Sequence, residues 1–513
     1  MCALVAVILI ASSCGAAAEL NGNPGATREE IGNKETSATR TGVAPTTAWR
    51  PTTTTTTPGL RSSDPNCPGG LDSGSAKGPA LGRSPSTTTP TTTVLRSSTT
   101  APPVRPPSSG RPSEGASTGA GSTTSTAVSD ARGALDNFKG DPRLAGTKLS
   151  VSVWVEGVGE AASESPDALL VPASNQKLVT AMGALALLDP DEHLDTYLVA
   201  TGPIVDGILS GDLILVGGGD PTLRASAAPN SLESLAQAAA DRGLRQVQGR
   251  LVVDESRYDS VRVGPSWPGD WLWSVGPLSA LGVDHNMLTK EASFVDDPAR
   301  GNGEAMRFAL AAKGVQVDGG VDVGRAGPGV EVARVESPPL KTLVATMLQY
   351  SDNFIAEMLL KEIAFRQTGQ PGSTKTGAEA VHRLISTLCV PVSSVDADGS
   401  GLSRDDRRSA REFRRLLQAA ELQPWGELFV SGLSISGEDD ALGGRLTGSV
   451  TAGRVRAKGG FLFVSRSLSG YMRTVSGSRV VFSVLVNGSL QQADHKVEDA
   501  IDDLLTSIAS LPR

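Results

Sequence analysis

Between Glu19 and about Asp130 this chain holds so little that could form a core that any folded body must lie beyond it. Thr, Pro, Ser and Gly dominate that stretch, with low-complexity runs at Thr52 to Thr57 and Ser86 to Thr93. Large apolar side chains are too sparse there to offset the entropy of ordering, so it reads as a disordered, partly extended tether. Two readings of the tether stay open: a spacer across a cell envelope, glycosylated on threonine, or a filler tail.

Ahead of the tether, Cys2 to Ser13 is nearly all apolar and small. That is too short to span a bilayer but suits the hydrophobic core of a secretory signal, which makes export the expectation. No lysine or arginine precedes that core, a departure from the usual signal pattern. Ala11-Ser12-Ser13-Cys14 resembles a lipobox, which would lipidate Cys14 and tether the N-terminus to a membrane; Ala16-Ala17-Ala18 offers ordinary cleavage instead. The expected organisation is a signal at 1–18, a tether at 19–133, a catalytic body from 134–200 and 335–513, and an inserted region at 201–334.

The formal net charge of -8 offers no basic face for nucleic acid, and that class is set aside. His193, His285, His382 and His495 are scattered without metal-ligand spacing. Of the 4 cysteines, Cys2 and Cys14 fall in the signal, Cys67 in the tether, and Cys389 ends an apolar helix as a small core residue. They imply no disulfide framework.

Within the foldable part, Leu149 to Val155 alternates apolar and polar residues, the pattern of a half-buried strand. A helix starts near Ser174, turns Leu178, Met182 and Leu185 inward, and stops at Asp189-Pro190. This places Ser174 one turn ahead of Lys177 on one helix face. A serine hydroxyl is a poor nucleophile until its proton is taken, and a desolvated lysine with a lowered pKa can take it. Free backbone N–H groups at the helix start would also stabilise negative charge there.

The inserted region alternates short strands, such as Leu213 to Val216 and Leu251 to Val253, with helices. One helix is expected to open on an Asn230 and Glu233 capping box and stop near Gly243, and another to run from Glu304 to Lys313. Gly217-Gly218-Gly219-Asp220-Pro221 lacks the spacing of a phosphate cradle and reads as a tight turn. Trp267, Trp271 and Trp273 cluster in a loop, either for packing or as a surface for an extended ligand.

From Leu340 a helical period returns as far as Tyr350, then Ser351-Asp352-Asn353 precedes a helix with Ile355, Met358, Leu359 and Ile363 inward. A helix from Ala378 to Leu388 is followed by the turn-rich loop Asp398 to Ser403 and by a helix with a Ser409 and Glu412 capping box. Strands at Arg454 to Ala457, Leu468 to Met472 and Val480 to Val486 precede a last helix burying Val497, Ile501, Leu504, Leu505 and Ile508. Antiparallel strands flanked by N- and C-terminal helices imply an α/β (α+β) sandwich whose sheet draws on both chain ends.

Three polar elements thus stand in chain order: Ser174-x-x-Lys177, Ser351-Asp352-Asn353 and Lys458-Gly459-Gly460. Their order resembles that of the penicillin-binding proteins and serine β-lactamases. Pro172 to Thr180 is similar, almost letter for letter, to the nucleophile segment of the class C low-molecular-mass D-alanyl-D-alanine carboxypeptidase/endopeptidase family. Gly218 to Leu223, Ser351 to Asn353 with Ala356-Glu357, Asp398 to Arg404 and Val455 to Lys458 resemble further blocks of that family, as does the long insertion. A literal Lys375-Thr376-Gly377 opens a helix rather than ending a strand that lines a cleft, so Lys458 is the better match to the third element.

The resemblance implies a transpeptidase-like fold and acyl transfer from peptidoglycan stem peptides, with β-lactams as covalent inhibitors and no metal or cofactor. Ser174 would be the nucleophile and Lys177 its base; Ser351 would pass a proton to the leaving amine, and Asn353 would hold either the substrate amide or Lys177. Lys458 would attract the terminal carboxylate, and Gly459, Gly460 and Phe461 would line the substrate, with the N–H groups of Ser174 and Phe461 as oxyanion hole. The family normally has threonine at the place of Gly459 and a small polar residue at the place of Phe461, and Glu438-Asp439-Asp440 stands where it tends to have a Gly-Thr turn. Losing a hydrogen bond to a charged group weakens binding by roughly 1.5 to 3 kcal/mol. Those departures would shift specificity from carboxypeptidase trimming toward cross-link endopeptidase cleavage, or leave a weakened peptidoglycan-binding protein; a serine β-lactamase is a further, weaker reading, since the large insertion suits a peptidoglycan substrate better.

Overall fold

The computed structural model describes residues 120–513 except 270–273, 289–292, 295–296, 389, 439–441, 443, 491–494 and 513. The signal and nearly all of the tether, Cys389, Trp271, Trp273, Asp439 and Asp440 lie outside the described residues.

The strand before the nucleophile segment runs Lys148–Val155. Its alternation turns Val151, Val153 and Val155 to one face and Ser150, Ser152 and Trp154 to the other. The half-buried expectation is corrected, because Ser150 and Ser152 are also fully buried. Their hydroxyls are satisfied there: Ser150 Oγ accepts the Ala410 N–H at 3.0 Å, and Ser152 Oγ donates to Glu160 at 2.7 Å while accepting Arg414 Nε at 2.9 Å. A serine with its hydrogen bonds supplied can stand in a core without the desolvation cost of an orphaned hydroxyl.

That strand lies within a six-stranded antiparallel sheet, in the order Ser434–Ile435, Val455–Leu462, Ser465–Arg473, Arg479–Asn487, Lys148–Val155, Gly159–Glu164. Chain ends meet where Val151 pairs with Val484. One face is covered by the helices Ala120–Lys139 and Lys496–Ala509, through Leu135, Phe138, Ile501 and Leu505 on Val153, Phe482 and Val484. The first of these helices begins inside the stretch whose composition reads as tether. The other face packs on a helical half built from Gln176–Leu187, Leu340–Tyr350, Asn353–Thr368, Thr374–Ser386 and Ala410–Glu421.

A five-stranded sheet runs in the order Val321–Val323, Leu251–Asp254, Leu213–Val216, Thr196–Ala200, Val330–Val335, so it reaches just beyond the expected bounds of the inserted region, 201–334, at Thr196 and Val335. Its core of Leu213, Leu215, Leu251 and Val253 is closed by Leu235, Ala239, Met306 and Leu310 from two helices. The first of those, Leu232–Asp241, is capped by Ser231, whose hydroxyl accepts the Ser234 N–H. This corrects the Asn230 cap: the residue with extended backbone before the helix is Ser231, and the Asn230 Nδ2 instead donates to Asp220 at 2.9 Å and to Thr222 Oγ1 at 2.9 Å. The second runs Pro298–Ala312 rather than from Glu304, with Asp297 as N-cap and proline in its first turn. A further cluster, with Val171, Ala173, Tyr258, Leu278, Phe354 and Leu402, joins the inserted region to the floor of the nucleophile segment. Among the described residues no helix is long and apolar enough to cross a membrane.

Candidate active site

Ser174 sits in a 3₁₀ turn, Ala173–Asn175, that feeds directly into the helix Gln176–Leu187. Leu178, Met182 and Leu185 are buried along that helix, each stabilising the fold by roughly 1.5 to 3 kcal/mol. Polar side chains of the first turns are pinned in turn. Asn175 Nδ2 donates to Ser469 Oγ at 2.6 Å, Gln176 Nε2 to Asp396 at 2.8 Å, and Thr180 Oγ1 to the Gly399 carbonyl at 2.7 Å. The backbone just before the nucleophile is strained, with Ala173 fully buried at φ 50°. Such a conformation costs of order 1 to 3 kcal/mol in a residue with a side chain and persists only where its surroundings enforce it.

Facing this turn is the strand Val455–Leu462, and the closest approach is at Gly460. A Cβ there would lie 2.2 Å from Ser467 Oγ and 3.0 Å from both the Pro172 carbonyl oxygen and the Ser174 nitrogen. Only glycine lets the nucleophile backbone sit against the strand. At Gly459 the reverse holds, since the nearest atoms to a Cβ would be Arg445 Nη1 at 3.8 Å and Leu468 Cδ1 at 4.0 Å.

Between turn and strand lies a cleft of about 280 Å³ lined by Ser174, Ser351, Asn353, Lys458, Gly459, Gly460 and Phe461, together with Leu402, Arg445 and Glu498. The residues singled out in three distant parts of the sequence are thereby brought together, with Lys177 beneath the cleft floor. The Lys375-Thr376-Gly377 stretch instead occupies the first turn of the helix Thr374–Ser386. That helix starts earlier than the expected Ala378 because Ser373 caps it, its hydroxyl accepting the Thr376 N–H at 3.1 Å.

Lys177 is fully buried. Its Nζ stands 3.0 Å from Ser174 Oγ, 2.7 Å from Asn353 Oδ1 and 2.8 Å from the Ser400 carbonyl oxygen. Burial pushes the ammonium down to about 8, while the charges of Asp398, Asp352, Glu357 and Asp406 work the other way. A neutral amine has two N–H bonds and one lone pair. Two fixed oxygens take the N–H bonds, which leaves the lone pair for the Ser174 hydroxyl. Of the two roles open to Asn353, its carbonyl holds Lys177, and its Nδ2 donates to Ser274 Oγ at 3.2 Å.

Ser351 closes the helix Leu340–Tyr350 in a left-handed conformation, φ 57°, which lets the chain turn at the cleft edge. Asp352 then caps Asn353–Thr368 by accepting the Ile355 N–H at 2.8 Å. Lys458 is fully buried on its strand and donates from Nζ to the Gly459 carbonyl at 3.0 Å.

The sequence reading assigned no role to the shell that holds Lys177. The loop through Ser400 is fixed by Glu357 Oε1, which accepts the N–H groups of Gly399 at 3.0 Å and Ser400 at 2.7 Å. Asp398 accepts the N–H groups of Gly401 at 2.6 Å and Ser403 at 2.7 Å, and the Trp267 indole N–H at 2.8 Å. Burial, and next the Asp398 charge, push Glu357 up to about 8 and Asp406 well above the usual carboxylate range. Ala356-Glu357 and Asp398 to Arg404 did stand out as text, which was the available signal.

The chain as a whole resembles known proteins. The model of the D-Ala-D-Ala carboxypeptidase 3 (S13) family matches residues 131–294 and 288–508. A D-alanyl-D-alanine carboxypeptidase of Actinomadura sp. (strain R39) is 30% identical over 469 residues, covering 74% of this chain and 86% of that protein. A carboxypeptidase of Mycobacterium tuberculosis is 31% identical over 363 residues, covering 67% of this chain and 76% of the relative. In fold, the chain is similar to the crystal structure of penicillin binding protein 4 from Haemophilus influenzae, with TM-score 0.64 and 22% identity, over 73% of this chain and 97% of the other.

Proposed function

Given that this chain belongs to the D-Ala-D-Ala carboxypeptidase 3 (S13) family, we propose that it is an exported, penicillin-binding serine DD-peptidase that cleaves peptidoglycan stem peptides through an acyl-enzyme on Ser174. The observation that carries this reading is the 3.0 Å approach of a buried, pKa-lowered Lys177 amine to the Ser174 hydroxyl.

Ser174 Oγ attacks the carbonyl carbon of the penultimate D-alanine and passes its proton to Lys177 Nζ. The N–H groups of Ser174 and Phe461 receive the developing oxyanion; the close approach of Gly460 to the Ser174 nitrogen supports this pairing. The tetrahedral intermediate collapses by breaking the C–N bond. Ser351, which also lines the cleft, carries the proton to the departing amine. Water then attacks the ester, and acid and Ser174 are released. Asn353 and the Ser400 carbonyl hold two Lys177 N–H bonds, so the lone pair faces Ser174 before the attack and the proton it takes lies on the cleft side, in line for Ser351. Lys458 lies in the cleft wall on the strand that faces Ser174.

Catalysis by this set accounts for both carboxypeptidase and endopeptidase cleavage, which differ only in what the leaving amine carries. Export follows from the apolar N-terminal segment, and anchoring through Cys14 would hold the tethered enzyme at a membrane. Fluorescent penicillin tests the proposal. A covalent adduct that Ser174→Ala abolishes, together with release of D-alanine from a stem pentapeptide, is the expected result. Folded protein that takes up no label would instead leave a peptidoglycan-binding protein without turnover.

A further inference from the structure

A substrate that ends in D-alanine brings a carboxylate into the cleft, and the cleft wall must answer it. Lys458 is fully buried, and its Nζ already donates to the Gly459 carbonyl. Arg445 also lines the cleft. Its Nε and Nη2 are held by the Asp502 carboxylate at 3.1 and 2.6 Å, with Nη2 also 3.5 Å from the Glu498 carbonyl. That fixes the guanidinium plane and leaves Nη1, without a hydrogen bond to Asp502, 3.8 Å from where a Gly459 Cβ would be. Glu498 Oε1 forms an ion pair with Nη1 at 3.9 Å, too long for a hydrogen bond.

We propose that Arg445, seen from the cleft through the opening left by Gly459, is the residue that binds the terminal carboxylate of the substrate peptide. Gly459 is then a window rather than a loss. A guanidinium held flat by one carboxylate can present its remaining N–H groups to a second, and does so with less entropy lost than a free arginine. Asp502 is in this sense a positioning residue, and Glu498 is a competing anion at the rim. The inference deepens the peptidase reading above and rests on it.

The test uses a matched pair of acyl-D-Ala-D-Ala peptides, one with a free C-terminal carboxylate and one with the carboxamide, and reads the ratio of their kcat/KM values. The wild type is expected to favour the carboxylate, and Arg445→Met to reduce that preference by roughly tenfold to a hundredfold. A purely structural role would slow both peptides and leave the ratio alone. Gly459→Val fills the window while leaving Arg445 and Asp502 themselves unchanged, so it tests the same contact even where Arg445→Met fails to fold. It is expected to collapse the ratio, whereas Gly459→Thr, of the same shape but with a hydroxyl, retains it. An unchanged ratio in Gly459→Val, or an equal loss on both peptides in Arg445→Met, overturns the assignment. A wild type that is labelled by penicillin but shows no preference for the carboxylate overturns it as well while leaving the peptidase reading intact; a wild type that turns over neither peptide and takes no label removes both.

Discussion

Raising the pH is the simplest perturbation of Lys177. With its ammonium held down at about 8 by burial, roughly one molecule in ten carries the neutral amine near pH 7 and about nine in ten near pH 9. A general base works deprotonated, so acylation ascends with pH and levels off above the pKa. The second-order rate constant for fluorescent penicillin is therefore expected to rise roughly tenfold between about pH 7 and 9. One substitution isolates the electrostatic cause. Asp352 is among the charges that raise Lys177, and its carboxylate also caps a helix through the Ile355 N–H. Asparagine caps a helix about as well as aspartate. Asp352→Asn thus removes the charge and keeps the helix start. The ascending limb should move to lower pH, and acylation near pH 7 should accelerate. Stopped-flow labelling at fixed ionic strength reads both effects. A flat profile over this range would refute Lys177 as the base, and a limb that moves upward in the variant would refute the electrostatic account.

Gly460→Ala and Gly459→Ala should behave oppositely. The first drives a Cβ into Ser467 Oγ and against the nucleophile backbone, costing roughly 1 to 3 kcal/mol of stability and about a hundredfold in acylation; the second meets nothing nearer than 3.8 Å and leaves Tm unchanged. Glu357, raised to about 8 in the fold, favours folding below its unfolded pKa of about 4.3, an advantage lost as pH climbs toward 8. Glu357→Gln keeps an acceptor for Gly399 and Ser400, so a plot of Tm against pH should flatten over that window; an unchanged slope counts against the buried neutral acid. Met182→Ala, in the fully packed helix behind the nucleophile, should cost roughly 2 to 5 kcal/mol in denaturant unfolding. A smaller loss would mean that the helical half closes around the cavity.

How far local text carries is visible in the helices. Ser409 before Glu412 acts as a cap where the short-range pattern puts it, because a cap is made by a side chain and an N–H three residues away. The pattern was one residue off at Asn230, because the helix starts after Ser231, whose hydroxyl takes the Ser234 N–H, while the Asn230 Nδ2 donates to Asp220. It also failed for the helix Ala120–Lys139, whose small and polar residues carry little helical signal until Leu135 and Phe138 find the sheet and the C-terminal helix to pack on.

The sequence alone determined which chemistry is at hand: a serine and lysine one helical turn apart, a serine and asparagine flanking a cap, and a lysine with glycines on a strand. Each is a matter of residues close in the chain, where spacing fixes geometry. Tertiary structure decided what those groups do to one another. Only the packed body buries Lys177, sets the Asn353 and Ser400 oxygens on its N–H bonds and so aims its lone pair at Ser174. It also brings Arg445 behind Gly459, a neighbour that no reading along the chain could supply, since desolvation and approach across strands depend on residues far apart in sequence.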